Sequence, residues 1–558
     1  MITVEVEKAP PYVALSYTWG RKDYSRLIRV NGFEIPITVN LGDAIDAIFT
    51  FARQQNMMFW ADSICIDQEN VTERSQQVRL MNTIYRSAEI VAIWLGQTAD
   101  DSDVAFDMMK EWKARFDVLR EQCGGSDELA VTSISSDDPL FFGSRGSKEQ
   151  RALEALRKIG HRLWWTRAWI VQEGTIAHPL RTILFCGNRS IDWACLRTAL
   201  QIIHHVTHYQ SSGMSIDFND GMTIRLDAFR ADREAGANIQ LLRILRLIRA
   251  YTCEDPRDKV YAALGMAMDV HEDDIIPDYR KPCSEVYTDV VRFFISGLNS
   301  RPFDFLGGIV RSAPGTTFEH QHDSSLPSWV PDWTFRVSMF PLEKTLDLDA
   351  YGEIPDAYNA SGMLTGNCYI DGRTLCVQGS VLDQITQLSS ICEWNLATRG
   401  LDTERSWAPE YPNNPYFTGE TIMEAYNHTL AADIGRQSME NDGTLSRGFA
   451  IDWVLVEQEV AYMTPVERQR QSWMLIDVKT MAFGRRLFRT SRGFMGLGPA
   501  AAQVGDRICV LFGGQVLYVL RGHTESHFEF VGECYVHGMM DGQACKDGEF
   551  FNREIILI

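Results

Sequence analysis

The stretch from Phe59 to Gly96, FWADSICIDQENVTERSQQVRLMNTIYRSAEIVAIWLG, leaves a chain few ways to fold. Phe59, Trp60, Ile64 and Ile66 make an apolar run that predicts a strand, with Asp62 and Asp67 where such a strand would end. Asn70 precedes Glu73 by three positions, the spacing of a capping box, in which each side chain satisfies a free backbone donor at a helix start. Val78, Met81, Ile84, Tyr85 and Ala88 recur at three- and four-residue steps and mark one helical face, with Arg74, Gln77 and Arg86 mostly outside it. Ile90 to Leu95 is then a short apolar run closed by Gly96. Strand, crossover helix and buried strand is the grammar of a parallel sheet.

The flanking segments extend that pattern. Tyr12 to Tyr17 predicts a first strand that runs into Thr18, Trp19 and Gly20, and Leu27 to Val39 a hairpin turning at Asn31-Gly32. Asn40 and Asp43 repeat the capping-box spacing, ahead of a helical face formed by Leu41, Ala44, Ile45, Ile48, Phe49 and Ala52. After Gly96 the periodicity loosens, so 97–150 reads as a surface insertion, partly helical. Helix resumes near Lys148, with Leu153, Leu156, Ile159 and Leu163 as its buried face, and leads into WWTRAWIVQE, Trp164 to Glu173. Thr182 to Cys186 is a further strand. The expected architecture is an α/β parallel-sheet domain over 1–190, a helical region over 191–300 and a turn-rich connection over 301–375. A β-rich domain over 376–558 follows, with a helical insertion at about 421–467.

Composition narrows the functional classes. A chain of 558 residues exceeds one core, and 45% hydrophobic with 23% charged residues is ordinary for a globular protein. The net charge of -20 argues against a nucleic-acid partner, since no excess of cations is available to displace counterions. Twelve cysteines without a C-x-x-C pair indicate neither a zinc ribbon nor a disulfide scaffold. With no leader-like start and no run of roughly 18 apolar residues, the expectation is a cytoplasmic protein without a membrane span.

Common catalytic signatures are absent: there is no G-x-x-x-x-G-K-[ST] and no H-E-x-x-H, and Gly496-x-Gly498 reads as a loop without a following helix. His204 and His208 share a helical face but lack a third ligand, so no metal is expected. His271 to Asp274 and Glu319 to Asp323 read as solvated loop charge. Three stretches are harder to explain as core alone: Ser16 to Gly20, Trp60 to Gln68, and Trp165 to Glu173. Ligands of an open parallel sheet bind beyond the carboxyl ends of its strands, where the strand order reverses. A 2-1-3 order places that crevice between Thr18–Gly20 and Leu95–Gln97, lined by Trp19 and covered by the segment carrying Glu173. Each residue also has a plainer reading. Asp62 and Asp67 can cap the next helix, Trp60, Trp94, Trp164 and Trp165 can be core, and Glu173, directly before Gly174, can end a helix or hold a salt bridge.

These stretches resemble the HET domain of fungal heterokaryon-incompatibility proteins. The family's L-S-Y-x-W-G block is similar to Leu15–Gly20, its W-x-D-x-x-C-I-D-Q block to Trp60–Gln68, and its R-x-W-x-x-Q-E block to Arg167–Glu173. DPRDKVYAALGM at Asp255–Met266, Leu326–Trp333 and GFMGLGPAAAQVGDRICVLFGG resemble the remainder of long HET proteins. HET domains in turn resemble TIR domains, which implies a TIR-like, flavodoxin-like sheet, and Trp169 to Glu173 is similar to the TIR W-C-x-x-E motif. By that resemblance Glu173 is the catalytic carboxylate, and Ser16, Tyr17, Trp19, Gly20, Asp62 and Trp169 surround the substrate. NAD would be that substrate, with no resident cofactor. Ile170-Val171 in place of the usual Thr-Leu, the insertion before Trp164 and the hairpin at 27–39 depart from the pattern. The resemblance implies a part in non-self recognition and programmed cell death, with protein partners or self-association. Two alternatives keep the same fold: a non-catalytic scaffold, and a nucleotide sensor that binds without turnover.

Overall fold

The computed structural model describes residues 1–135, 138, 141–142, 147–209, 222–296, 301–311, 325–335, 341–342, 358–362, 364–393, 401–436, 445–545 and 552–558. The Glu319–Asp323 charge run, most of 312–357 and the side chain of His208 lie outside them. The chain divides into two compact units, Met1–Pro282 and Cys283–Ile558.

The first unit is built on a five-stranded sheet. Its strands are β1 (Tyr12–Ser16), β4 (Met58–Trp60), β5 (Ile90–Trp94), β6 (Thr182–Cys186) and β7 (Arg189–Asp192), while β2 (Arg26–Val30) and β3 (Phe33–Ile37) form a separate hairpin. The order is β4-β1-β5-β6-β7. Pairing is parallel from β4 through β6 and antiparallel between β6 and β7. Within the sheet the sequence positions therefore run 2-1-3-4-5. Asn31 and Gly32 turn the hairpin with φ of 50° and 88°, the left-handed values its type requires.

Helix α1 (Val39–Gln54) covers one face, packing Leu41, Ala44 and Ile48 on Val13, Leu15 and Tyr17. Its N-cap is Thr38, whose hydroxyl accepts from the Leu41 amide, a bond worth about 1 kcal/mol. Asn40 lies inside the helix and is not the cap. After β4 comes α2 (Asp62–Cys65), so the strand ends at Trp60 rather than continuing through Ile66. Then α3 (Val71–Ser87) buries Met81, Ile84 and Tyr85. Its Asn70 caps Glu73 as expected, whereas the Glu73 carboxylate accepts from the Asp67 amide instead of from Asn70.

The 97–150 region is more than surface decoration. Helix α4 (Ser102–Gln122) buries Phe106, Met109, Trp112 and Phe116, and α5 (Asp127–Thr132) and α6 (Lys148–Gly160) follow. In α6 Leu153, Leu156 and Ile159 are buried, but Leu163 lies beyond its end and is 70% exposed. The short α7 (Ile170–Glu173) is wholly buried. Helices α8 (Trp193–Tyr209), α9 (Met222–Glu234), α10 (Leu241–Ile248) and α11 (Asp258–Leu264) complete this unit.

The second unit begins with α12 (Cys283–Ser296) and contains β8 (Cys368–Asp371), β9 (Thr374–Ile391), β12 (Arg485–Thr490), β13 (Met495–Pro499), β14 (Arg507–Leu511), β15 (Leu517–Gly522), β16 (His527–Val536) and β17 (Arg553–Leu557). Strand β12 pairs with both β13 and β9, so the path β9-β14-β15-β16-β13-β12 returns to β9 and closes a barrel. Between β9 and β12 stand α13 (Asp402–Ser406), α14 (Ile422–Thr429), the β10–β11 ribbon (Ile434–Arg436, Leu445–Arg447), α15 (Trp453–Glu457) and α16 (Pro465–Ala482). Gly496 and Gly498 lie in β13 and not in a loop; a Cβ at Gly496 would stand 2.1 Å from the Tyr535 carbonyl oxygen, so the close strand pairing requires glycine there.

Candidate functional site

A cleft of about 680 Å³ opens in the first unit beyond the carboxyl ends of β1 and β4, a volume ordinary for a small-molecule site. Thr18 to Arg21 line it from the exit of β1, Asp62, Ile66 and Gln68 from the exit of β4, and Arg74, Val78 and Met81 from α3. Leu163, Thr166, Arg167, Trp169 and Glu173 form another side, and Thr252–Asp255, Asp258 and Tyr279 the last.

The crevice expected on the other side of β1, against Leu95–Gln97, is filled. Asn40 donates from Nδ2 to the Thr18 carbonyl at 2.6 Å and accepts from Trp94 Nε1 at 3.0 Å, which ties the exits of β1 and β5 together. Arg162 donates to the carbonyls of Leu95, Gln97 and Ala99 and caps the β5 exit. The opening is therefore displaced to the β1–β4 side. Arg74, read as lying outside the helical face, points into it with Val78.

Alternation along β1 fixes the roles of Ser16 and Tyr17. Val13, Leu15 and Tyr17 belong to the core under α1, so Ser16 faces the opposite side of the sheet. There its hydroxyl donates to Glu173 Oε2 at 2.5 Å and accepts from Trp164 Nε1 at 2.8 Å. Ser16 thus supports the carboxylate from beneath and does not line the cleft. Tyr17 is buried with its hydroxyl on Ser63 Oγ at 2.6 Å, so it offers no face for a ligand ring to stack on. Trp19 does line the cleft, and its indole donates to Asp62 Oδ2 at 3.0 Å. Asp62 also accepts from the adjacent Ser63 amide at 2.7 Å; it is the first residue of α2, whose N-cap is Ala61, so it places Trp19 without capping the helix. Gly20 has φ of 72°, and a Cβ there would approach Asn40 Cβ at 3.2 Å.

Glu173 is 2% exposed, and Arg167 Nη1 stands 3.5 Å from its Oε2. The same Nη1 donates to the Tyr17 carbonyl. Burial pushes the Glu173 carboxyl above the usual carboxylate range, Arg167 and the Ser16 hydroxyl pull it back, and Asp62 adds to the rise. The result is an acid whose charge is set by competing neighbours.

The wall from 252 to 279 has no counterpart among the sequence-derived site residues. Asp258 Oδ1 accepts from the Tyr279 hydroxyl at 2.5 Å, and burial raises its carboxyl to about 6. Arg74 lies over the Tyr279 ring at 3.6 Å and pairs with Asp255 at 3.4 Å. The DPRD run at 255–258 was the available signal, but nothing in linear spacing placed it beside Glu173. Among the described residues no group of three His, Cys, Asp or Glu side chains stands ready to hold a metal ion. All twelve cysteines are free thiols, and no helix among the described residues is long and apolar enough to cross a membrane.

Comparison with known proteins assigns both ends of the chain. Residues 12–173, which contain β1, β4, β5 and the Glu173 turn, match the family described as Heterokaryon incompatibility protein (HET), and residues 461–555 match the Het-6 beta-barrel domain. The chain thus carries one segment similar to the HET domain and another similar to the Het-6 beta-barrel domain. Across 641 aligned positions it is 25% identical to Heterokaryon incompatibility protein 6, OR allele, of Neurospora crassa, an alignment covering 98% of this chain and 92% of that protein. No solved structure matches the chain.

Proposed function

We propose that the protein acts in fungal non-self recognition and programmed cell death, and that the cleft of its HET domain cleaves NAD with Glu173 as the catalytic carboxylate. The match over 12–173 and the Neurospora relative, named for heterokaryon incompatibility, support the cellular role. The β4-β1-β5-β6 parallel order supports a TIR-like, doubly wound reading, with the antiparallel β7 as a departure. The observation that carries the chemistry is a buried glutamate, held by Ser16 and Arg167, on the floor of a 680 Å³ cleft that also presents Trp19 and Trp169.

The reaction suits such a site. Nicotinamide leaves NAD as a neutral base, so no acid is needed for its departure, and the barrier lies in the oxocarbenium-like ribose. A carboxylate about 4 Å from that charge contributes roughly 4 kcal/mol at an effective dielectric near 20, about a thousandfold in rate. Water then adds to C1′ of the ribose and releases a proton, giving ADP-ribose. Arg167 and Ser16 favour the ionised glutamate that this requires.

The test is nicotinamide release from NAD by wild type and Glu173→Gln at several protein concentrations. Turnover by wild type that disappears in a folded variant supports the enzyme; wild type that leaves NAD intact under every condition removes it. A second reading, a nucleotide sensor, is favoured by the grip of Arg167 on Glu173 Oε2 and predicts binding without release. Neither binding nor release identifies an interaction module that signals through protein partners or self-association.

A further inference from the structure

We propose that Arg74 is the anion-binding residue of the cleft, presented on the Tyr279 ring to take the diphosphate of a dinucleotide. The anion site stands on geometry; that the diphosphate belongs to NAD rests on the reading above.

Arg74 reaches the cleft from α3, and 27% of its side chain is exposed. Its guanidinium carbon lies 3.6 Å from the centre of the Tyr279 ring, which is fixed at both ends. The Tyr279 amide donates to Ser75 Oγ at 3.2 Å, one residue along α3 from Arg74, and its hydroxyl donates to Asp258 Oδ1 at 2.5 Å. The segment that carries Tyr279 is moored by a parallel bridge between Arg167 and Thr252. There Thr252 N donates to the Thr166 carbonyl at 2.5 Å, and Ala168 N to the Thr252 carbonyl at 2.8 Å. An aromatic platform held in this way orients a guanidinium without engaging its N–H donors.

Those donors are nearly all uncommitted. Among the described residues Arg74 makes one hydrogen bond, from Nη2 to Asp255 Oδ2 at 3.4 Å, and its buried Nε has no partner. Asp255 is already satisfied without it. Arg257 donates to that carboxylate from Nε and Nη2 at 2.8 Å each and from its own amide at 3.1 Å. Arg257 is locked there, because its Nη1 also donates to the Tyr279 and Lys281 carbonyls at 2.5 and 2.8 Å. Glu254 and Asp258, the other carboxylates of this wall, engage Lys22 and Tyr279.

Arg74 is therefore a cation with one long bond to a satisfied acceptor and a buried donor left unpaired, an arrangement that favours exchange for a better acceptor. A phosphate supplies one, since two of its oxygens match the guanidinium fork and accept parallel, charge-assisted bonds. Arg21 lines the same cleft, exposed and with no side-chain partner among the described residues, and adds a second positive charge for a diphosphate. Glu173 and Trp19, on other elements of the lining, are left for the ribose and a ring.

The experiment titrates the full chain with ADP-ribose by calorimetry, with inorganic diphosphate as competitor. Wild type binds ADP-ribose and inorganic diphosphate displaces it. Arg74→Ala weakens ADP-ribose about 10- to 100-fold, the loss expected of a charge-assisted bond, and Arg74→Lys restores part of it. Asp255→Asn, which frees Arg74 from its competitor, tightens ADP-ribose severalfold, a gain that a damaged wall does not give. Wild type that binds neither probe, Arg74→Ala that binds ADP-ribose as wild type does, or weaker binding in Asp255→Asn overturns the anion site. With NAD as substrate, Arg74→Ala raises KM about tenfold or more with kcat within about threefold. Wild type that binds ADP-ribose through Arg74 but leaves NAD intact removes the hydrolase and keeps the site. NAD cleavage with KM unchanged in Arg74→Ala removes the site and keeps the hydrolase.

Discussion

Arg485 on β12 and Glu533 on β16 are buried with 2.8 Å between Nη2 and Oε1, whereas Arg167 and Glu173 stand 3.5 Å apart at the floor of an open cleft. In the barrel the arginine also donates to the Met481 carbonyl and the glutamate accepts from the Leu342 amide at 2.6 Å. In the cleft the arginine divides itself between a carbonyl and a carboxylate, and a serine hydroxyl makes the closest contact with the glutamate. The residue types are the same and both glutamates are buried. The difference lies in what stands beside them: protein atoms around one pair, room for another molecule beside the other. A buried charge pair with a tight fit is a structural commitment, and one with a loose fit beside a cavity is available for exchange.

That contrast can be broken in order of decreasing effect. Glu533→Ala leaves Arg485 buried without its partner and should destabilise the second unit by about 3–5 kcal/mol, read from urea unfolding. Glu173→Gln should leave the unfolding midpoint near that of wild type while lowering NAD turnover by about a thousandfold, or roughly 4 kcal/mol in the barrier. Equal stability losses in both variants would erase the distinction.

The cleft should also answer to pH. Asp258 is raised from 3.8 to about 6, so the folded chain holds this proton more tightly than the unfolded one. Its contribution to stability is full below about pH 4 and is lost as pH rises through about 6, a change of about 3 kcal/mol. Unfolding of wild type should carry that slope, and Asp258→Asn should flatten it. Ser16→Ala removes a donor that favours ionised Glu173, so the acid limb of kcat/KM should move upward by at most about one pH unit, near 1.4 kcal/mol. The smallest effect belongs to Leu163→Ala: this side chain is 70% exposed, and stability should change by less than about 0.5 kcal/mol.

The sheet was legible because its signals are local. The Tyr12 and Ile90 runs, the Asn31-Gly32 turn and the Asn70 cap each declare themselves within a few residues, and the structure keeps all of them. Errors arose where two local signals were equivalent. Thr38 and Asn40 are both good caps, and only the tertiary demand for an amide between Thr18 and Trp94 assigns Asn40 to the other task. Ile64 and Ile66 continue an apolar run, yet Asp62 opens a helical turn that ends the strand. Glu173, Trp19 and Asp62 were found by motif, while Asp258 and Tyr279 belong to a segment held at the cleft by contacts that span from 86 to 204 residues, which no periodicity encodes.

The bridge between Thr252 and the Thr166–Ala168 backbone bears on how this protein can be cut and inherited. A fragment ending where the HET match ends, at 173, would carry the glutamate but leave one side of its chamber behind. The shortest piece that can be transplanted with its cleft closed runs to Pro282. A recombination point between 173 and 279 would therefore hand the offspring a floor from one parent and a wall from the other.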